Sequence, residues 1–354
     1  MDTESTRTEW IRQQNELRAR RIANDQLDFS VNITPRHIDS AAVDSSSSAP
    51  PVDMLDPLVR DFVSSRGDTA SFDSSFEGLR YVGGVDIGFD HEEDQRGVRG
   101  PREAIAGATA VAVLVVLELP TLKVVYKDME EGRLTLPYIP TFLAFRELPL
   151  LLRLFARLRS HPTWAHVFPQ VVLVDGNGIL HPRMMGLAAH LGIVADVPTI
   201  GVAKNFLHMN AEHLTVDGVK AGMKALHEAS TGAMLPADGS GQALRSMLAP
   251  QVQEVDSSSD VTGALSGLSA IAPSGTSHTD FMPLIGSSGQ LYGVTLLPTP
   301  STTNPIFVSP GHRVSARTTL FLAKKLSLFR IPEPVRQADK IGRLRLSQLA
   351  KSAG

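Results

Sequence analysis

A chain of 354 residues with 42% hydrophobic and 20% charged side chains, a formal net charge of −3 and no cysteine has the composition of a soluble globular protein with ample material for a core. Disulfides and thiolate zinc sites are excluded. The longest apolar run, residues 110–117, is far short of a membrane span, and the opening MDTESTRTEW lacks the apolar stretch of a secretory signal. The expected location is the cytoplasm, the nucleus or both, the nucleolus included, with no membrane partner; the triplet Asn32-Ile33-Thr34 is then incidental as a glycosylation signal.

Residues 10–22, WIRQQNELRARRI, have helical periodicity, with Trp10 and Leu17 on the packing face. Residues 39–56 turn to Ser, Ala and Pro, the composition of a flexible linker. Disorder is expected over most of 38–76, apart from a short helix near 55–63. Residues 81–89, YVGGVDIGF, read as a strand carrying Asp86, followed by a charged, glycine-containing turn over 91–102. Residues 109–119 and 123–127 are two further strands, and short connections make them antiparallel neighbours. Residues 136–147, LPYIPTFLAFRE, form a proline-punctuated loop that places Glu147 at the entrance of a helix over 148–159, with Pro149 in its first turn.

The centre of the chain is residues 171–204, VVLVDGNGILHPRMMGLAAHLGIVADVPTIGVAK. Its opening run of β-branched residues is a strand buried on both faces, and it stops at Asp175. Gly176 and Gly178 flank Asn177, where a glycine permits positive φ and close approach of another group. Residues 184–191 read as a short helix and 197–202 as a second strand delivering Lys204. Such a strand–helix–strand unit is a right-handed crossover between parallel strands, and ligands bind beyond the carboxyl ends of strands in such sheets. Asp175, His181 and Lys204 should therefore face one crevice. The whole pattern predicts a mixed α/β sheet covered by helices.

After Lys204 the periodicity weakens, and residues 231–280, rich in Ser, Gly, Ala and Pro, read as a disordered insertion. Residues 282–297 form a hairpin around 287–289, residues 305–309 a short strand, and 315–328 and 334–350 helices. From residue 305 onward ten Lys and Arg face only Glu333 and Asp339. That basic face is either a phosphate footprint or an ordinary solvated helix surface.

Asp86, Glu147 and Asp175 all sit at element ends in apolar surroundings. One such carboxylate is usually solvated or caps a helix. Several together in a mixed sheet suit hard cations, which can activate water for phosphoryl displacement. Asp339 is either a further ligand or a surface residue pairing with Arg336 or Arg343. Lys204 could neutralise a transition-state phosphate or simply snorkel. His181 has a polar-loop alternative, and Arg183 and His312 are either phosphate contacts or structural. Tyr138, held between Pro137 and Ile139-Pro140, is a stiff aromatic tip that could wedge into a base stack or cover the core. GNG is no dinucleotide fingerprint, and no phosphate-loop GKT or GKS occurs.

Taken in order, VGGVDIGF, PYIPTFLAFRELP, LVDGNGILHPR, PTIGVAKNFL, PIFVSPGHRVS and RIPEPVRQAD resemble the endonuclease V family. The resemblance implies a ribonuclease H-like fold and Mg²⁺-dependent hydrolysis, with Mn²⁺ as a substitute, at the second phosphodiester 3′ to inosine, leaving a 3′-hydroxyl and a 5′-phosphate. Asp86, Glu147 and Asp175 match the metal-binding carboxylates, Lys204 the active-site lysine, and Asp339 a variable position near the metals. Tyr138, with Pro137 and Ile139, matches the strand-separating wedge. His181 matches a histidine beside the nucleic acid, and Gly176 and Gly178 would line the pocket for the flipped hypoxanthine. Thr141, after the wedge, and Met184, after HPR, stand where members usually carry glycine. The spellings VDGNG and PEPVRQAD look like the eukaryotic branch, which favours inosine in single-stranded RNA over deaminated DNA. A monomer is expected, organised as an N-terminal helix and extension (1–37), a linker (38–76), a single catalytic domain (77–230 and 281–346), the insertion (231–280) and a tail (347–354). Two alternatives stay open: a structure-specific nuclease of the same fold without inosine preference, and a non-catalytic inosine-binding module.

Overall fold

The computed structural model describes residues 3–36, 56–59, 61, 68–89, 108–136, 139–230 and 280–353. Most of the expected linker and insertion, the turn over 91–102, and Pro137 and Tyr138 of the wedge lie outside these described residues.

The long valine-rich strand predicted over 109–119 sits inside an eight-stranded sheet in the order β5-β4-β3-β6-β7-β10-β9-β8. The strands are β3 (Tyr81–Phe89), β4 (Thr109–Glu118), β5 (Lys123–Arg133), β6 (Val171–Asp175), β7 (Thr199–Ala203), β8 (Phe281–Ile285), β9 (Leu291–Leu296) and β10 (Ile306–His312). β3, β6 and β7 run parallel, with Val85 opposite Val174 and Asp175 opposite Val202; every other pair is antiparallel. β5 runs well past the predicted residue 127 because its alternation of lysine, acid and apolar side chains suits an edge strand with one wet face.

Helices cover both faces. α1 (Thr3–Ala19), α2 (Leu143–Arg159) and α3 (Leu187–Ala195) lie on one side. There the side chains of Val85, Leu114, Val172 and Val174 pack against Leu151, Leu154, Phe155 and Leu191. α4 (Val216–Ser230), absent from the sequence expectation, packs near β8. α5 (Ala316–Lys325) packs on the β8–β10 end. α6 (Glu333–Ala353) lies across β3 and β4, with Ala338 and Ile341 against Val111, Val113 and Val115. The alternation Val111, Val113, Val115 toward one layer and Ala112, Leu114, Val116 toward the other is the period of a strand buried on both faces.

Several boundaries shift, among them the start of α2, expected at 148 and found at Leu143. A small second sheet pairs β1 (Ser30–Pro35) with β2 (Phe72–Glu77), so a strand occupies residues expected as linker. Its serines and aspartate resemble linker composition, but Phe72 is buried and sets its ring edge-on against Phe321 at 5.5 Å. Leu58, in the predicted short helix, is fully buried. Asp280 belongs to the fold rather than to the insertion: its carboxylate accepts the Thr69 N–H at 2.9 Å and the Lys324 ammonium at 2.6 Å. The expected tail from 347 onward is the end of α6. The helix expected from residue 184 starts at Leu187, because Met184 has φ of 56° in the preceding turn.

Candidate active site

Register brings the acidic residues together. Because Val85 pairs with Val174, the next residues, Asp86 and Asp175, stand side by side where the parallel pairing of β3 with β6 ends. Asp175 is the last residue of its strand, whereas Asp86, expected at a strand end, lies within β3, which runs on to Phe89. Lys204 follows β7 directly and reaches back, its Nζ 2.7 Å from Asp175 Oδ2 and 3.6 Å from Asp339 Oδ1. Asp339 arrives on α6 and also accepts from Arg343 at 2.9 Å. Asp86 has the same strand parity as Gly84, against which Pro334 at the start of α6 is seated, so its side chain faces the layer that carries Asp339. Asp339 therefore takes the Arg343 pairing and also approaches Lys204 beside the acidic cluster.

The electrostatics are those of crowded acid. Burial, then the neighbouring Asp175 charge and a hydrogen bond shared with Asp175, push the Asp86 carboxyl up to about 8, against the pull of Lys204. Glu147, on the first turns of α2, is buried and receives no hydrogen bond from any described residue. Burial chiefly, with Asp175 adding and Arg146 opposing, raises it to about 8 as well. For Lys204 burial works against the ammonium, but Asp175, then Asp86 and Asp339, outweigh it and hold the pKa above the ordinary lysine value.

Beside this cluster is a pocket of about 270 Å³, lined by Glu147, Asp175, Gly176, Thr141, His181 and Phe206 among others. Gly176 has φ of 146°, a conformation that favours glycine. Gly178 does not line the pocket; it is buried where a Cβ would stand 2.1 Å from the Pro310 carbonyl oxygen. Its role is close packing of the loop on β10, helped by its N–H donating to Ser309 Oγ at 2.8 Å.

His181 is a brace in the pocket wall. Its Nδ1 accepts the N–H groups of Arg183 at 3.1 Å and Met185 at 3.3 Å, which leaves Nε2 to donate to the Thr141 carbonyl at 2.9 Å. Burial lowers its pKa to about 4, so the neutral ring is the resting form. Arg183 donates to Thr141 Oγ1 at 2.7 Å, and His312 Nδ1 accepts the Ile22 N–H at 3.2 Å, so both take their structural alternatives. Ile139 is half-buried and its carbonyl accepts the Phe142 N–H at 3.0 Å, closing a turn over 139–142.

Sequence reasoning missed Gln14. This side chain of α1 is fully buried, donates to the Thr141 carbonyl at 3.0 Å and the Met185 carbonyl at 3.3 Å, and accepts from Arg183. A polar residue on the inner face of an amphipathic helix was the available signal. The basic C-terminal face is also less free than its charge count suggests. Arg313, Arg317, Lys324, Arg336, Arg343 and Arg345 each pair with a carboxylate.

The donor set fits a divalent cation. Asp86, Glu147, Asp175 and Asp339 offer oxygen only, which hard cations prefer, and three of them, Asp175, Asp86 and Asp339, surround the single Lys204 ammonium. The fit is one of donor chemistry: among the described residues no three acidic or histidine side chains are grouped so that they could hold a metal ion as they lie, so the expected set of Asp86, Glu147, Asp175 and Asp339 is not assembled. The Lys204 ammonium stands between Asp175 and Asp339.

The family model described as Endonuclease V matches residues 67–240 and 264–340. Over 267 residues the chain is 38% identical to Endonuclease V of Mus musculus, a stretch that is 75% of this chain and 60% of the mouse protein. Over 282 residues it is 36% identical to Endonuclease V of Homo sapiens, covering 80% of this chain and 76% of the human one. The crystal structure of the catalytic domain of human Endonuclease V superposes with a TM-score of 0.61 at 29% identity over 98% of both chains. Endonuclease V of Ciona intestinalis, in complex with a 24mer DNA containing an inosine followed by a ribo-adenosine, superposes with a TM-score of 0.62 at 25% identity, over 98% of this chain and all of that one.

Proposed function

The chain belongs to the endonuclease V family and is an endonuclease with a ribonuclease H-like fold, and from that premise we propose that it hydrolyses the second phosphodiester 3′ to inosine in single-stranded RNA, with Mg²⁺ or Mn²⁺ as cofactor. Deaminated DNA is its second substrate; the Ciona relative was solved on inosine-containing DNA. The products carry a 3′-hydroxyl and a 5′-phosphate. We take it to act as a monomer in the cytoplasm or nucleus.

The observation that carries this proposal is the junction of Asp86, Asp175, Lys204 and Asp339 beside a pocket that shares Asp175 and Glu147 with them. A bound divalent cation supplies Lewis acidity and a water of lowered pKa. Asp86, Asp175 and Glu147 would hold it, with Asp339 completing the set. Burial and the neighbouring Asp175 favour the protonated form of Asp86, which would release that proton to act as a ligand. Lys204, held charged between carboxylates, is placed to stabilise negative charge developing on the phosphate. The pocket wall of Gly176, Met185 and Leu187 is apolar and of a size for one purine. Its rim is fixed by the His181 and Arg183 bonds to Thr141.

Matched single-stranded RNA and DNA, each with one inosine, incubated with Mg²⁺ and mapped at nucleotide resolution, test this. One cut at the second phosphodiester 3′ to inosine, faster in RNA, is expected. Equal cutting when adenosine replaces inosine would remove the specificity, and cutting undiminished in EDTA would remove the metal.

A further inference from the structure

A second recess lies on the far side of the loop that follows β7. It is a groove of about 480 Å³ whose lining includes Phe206, Met223, Phe307, Lys204, Lys220 and Arg330, with no carboxylate among its described residues. Its floor is aromatic: Phe206 meets Phe307 edge-on at 5.0 Å and stays partly exposed. Its rim is cationic. Lys220 is exposed on α4, and the Arg330 guanidinium is fixed by the carbonyls of Lys204, Asn304 and Pro305, each at 3.0 Å. Just beyond it Phe329 is 57% exposed, with Arg336 over its ring at 4.8 Å.

The two recesses are neighbours by construction. Asn205 and Phe206 line both, so one loop divides them. The first recess contains Asp175 and the second Lys204, and those side chains touch at 2.7 Å. A strand with its deaminated base in the first recess and a phosphate at the carboxylates must leave across Lys204.

We propose that this groove is a second nucleobase subsite, taking the base immediately 3′ to the cut, that of the second nucleotide after inosine. The proposal rests on the cleavage position given above. An aromatic floor with a cationic rim is the chemistry of a single-stranded stacking site, which accepts any base because every base has a π-face. Holding bases on both sides of the scissile bond fixes the phosphate between them, the positioning that phosphoryl transfer requires. The absence of carboxylates keeps the path of the backbone free of repulsion.

The test uses the full chain and two inosine-containing RNAs that differ only at the second nucleotide after inosine, natural in one and abasic in the other. Fluorescence anisotropy in EDTA gives Kd without cleavage, and steady-state kinetics in Mg²⁺ give KM and kcat. The abasic strand should bind about tenfold more weakly, with KM raised in parallel and kcat little changed. An abasic nucleotide three positions further 3′ should cost little. In Met223→Ala and in Lys220→Glu, checked for unchanged Tm, the natural strand should weaken and the abasic penalty should shrink toward none. Equal Kd for the two strands on the wild-type chain, or a full penalty in both variants, overturns the subsite. An adenosine-for-inosine control separates the two claims: lost inosine discrimination with the abasic penalty intact removes the inosine specificity and keeps the groove, and the reverse removes only the groove.

Discussion

Asp86 and Glu147 are both raised to about 8, chiefly by burial, and this has a measurable sign. The folded chain keeps protons that the unfolded chain releases, so stability conferred by these groups is present below the ordinary carboxyl range and is lost as pH rises toward about 8. His181, His190 and His312 act oppositely: burial lowers each to about 4, so their contribution grows with pH and is complete above the ordinary histidine value near 6.5. Between about pH 6.5 and 8.5 the carboxyls alone remain, and Tm of the metal-free protein should fall across that window. Glu147→Gln should flatten the fall, and Mg²⁺ should raise Tm more at the alkaline end; a Tm independent of pH in both proteins would contradict the burial of these acids. Asp86→Ala should abolish cleavage of an inosine strand and leave binding measurable, whereas Lys204→Ala should reduce kcat by about 10²–10³. Two departures from the family spelling have a local cost. Thr141 and Met184, where members usually carry glycine, have φ of 71° and 56°, a region disfavoured for side chains with a Cβ and most of all for a β-branched one. Thr141 is held there by hydrogen bonds from Gln14, His181 and Arg183.

At the scale of elements, the site depends on how α6 sits on β3. A Cβ on Gly84 would stand 2.1 Å from the Pro334 carbonyl oxygen, a backbone atom that cannot rotate away. Gly84→Ala should therefore destabilise the fold by about 1–3 kcal/mol or more and displace Asp339 from Lys204, which calorimetry and Mg²⁺ affinity would register together. α1 is the other determining element. Trp10 stacks on Phe145 at 5.0 Å and packs on Phe142 at 5.5 Å, while Gln14 ties the Thr141 and Met185 carbonyls. Gln14→Ala leaves those carbonyls and the Arg183 guanidinium short of a buried partner, at a cost of about 1–3 kcal/mol. Its Tm should drop accordingly, and affinity for an inosine strand should drop with it, since the same bonds fix the pocket rim.

Over the whole molecule, the family match skips residues 241–263, and removing that stretch should leave kcat/KM for an inosine strand within about twofold; a folded product without activity would show that the stretch serves the site. The parallel β6–α3–β7 unit was legible because its valine runs, the glycines after Asp175 and the terminal Lys204 all follow local rules. The strand carrying Asp86 was legible for the same reason, whereas the helix expected from 148 starts at Leu143 and so carries Glu147 within its first turns rather than at its entrance; the resemblance supplied the role of each acid. β2 was not, because its Ser- and Asp-rich spelling is that of a linker and only its ladder with β1, seated by Phe72 against Phe321, makes it a strand. The sequence by itself determined most strands of the large sheet, their apolar faces and the end of β6 at Asp175, since periodicity and turn chemistry act over a few residues. Only the tertiary structure decided that Asp86 and Asp175 stand side by side, that Asp339 meets Lys204 from a helix distant in the chain, that Gly178 packs rather than lines, and that Gln14 ties the Thr141 and Met185 carbonyls from near the start of the chain. Those contacts depend on register and on the seating of α6 and α1, long-range geometry that no local pattern encodes.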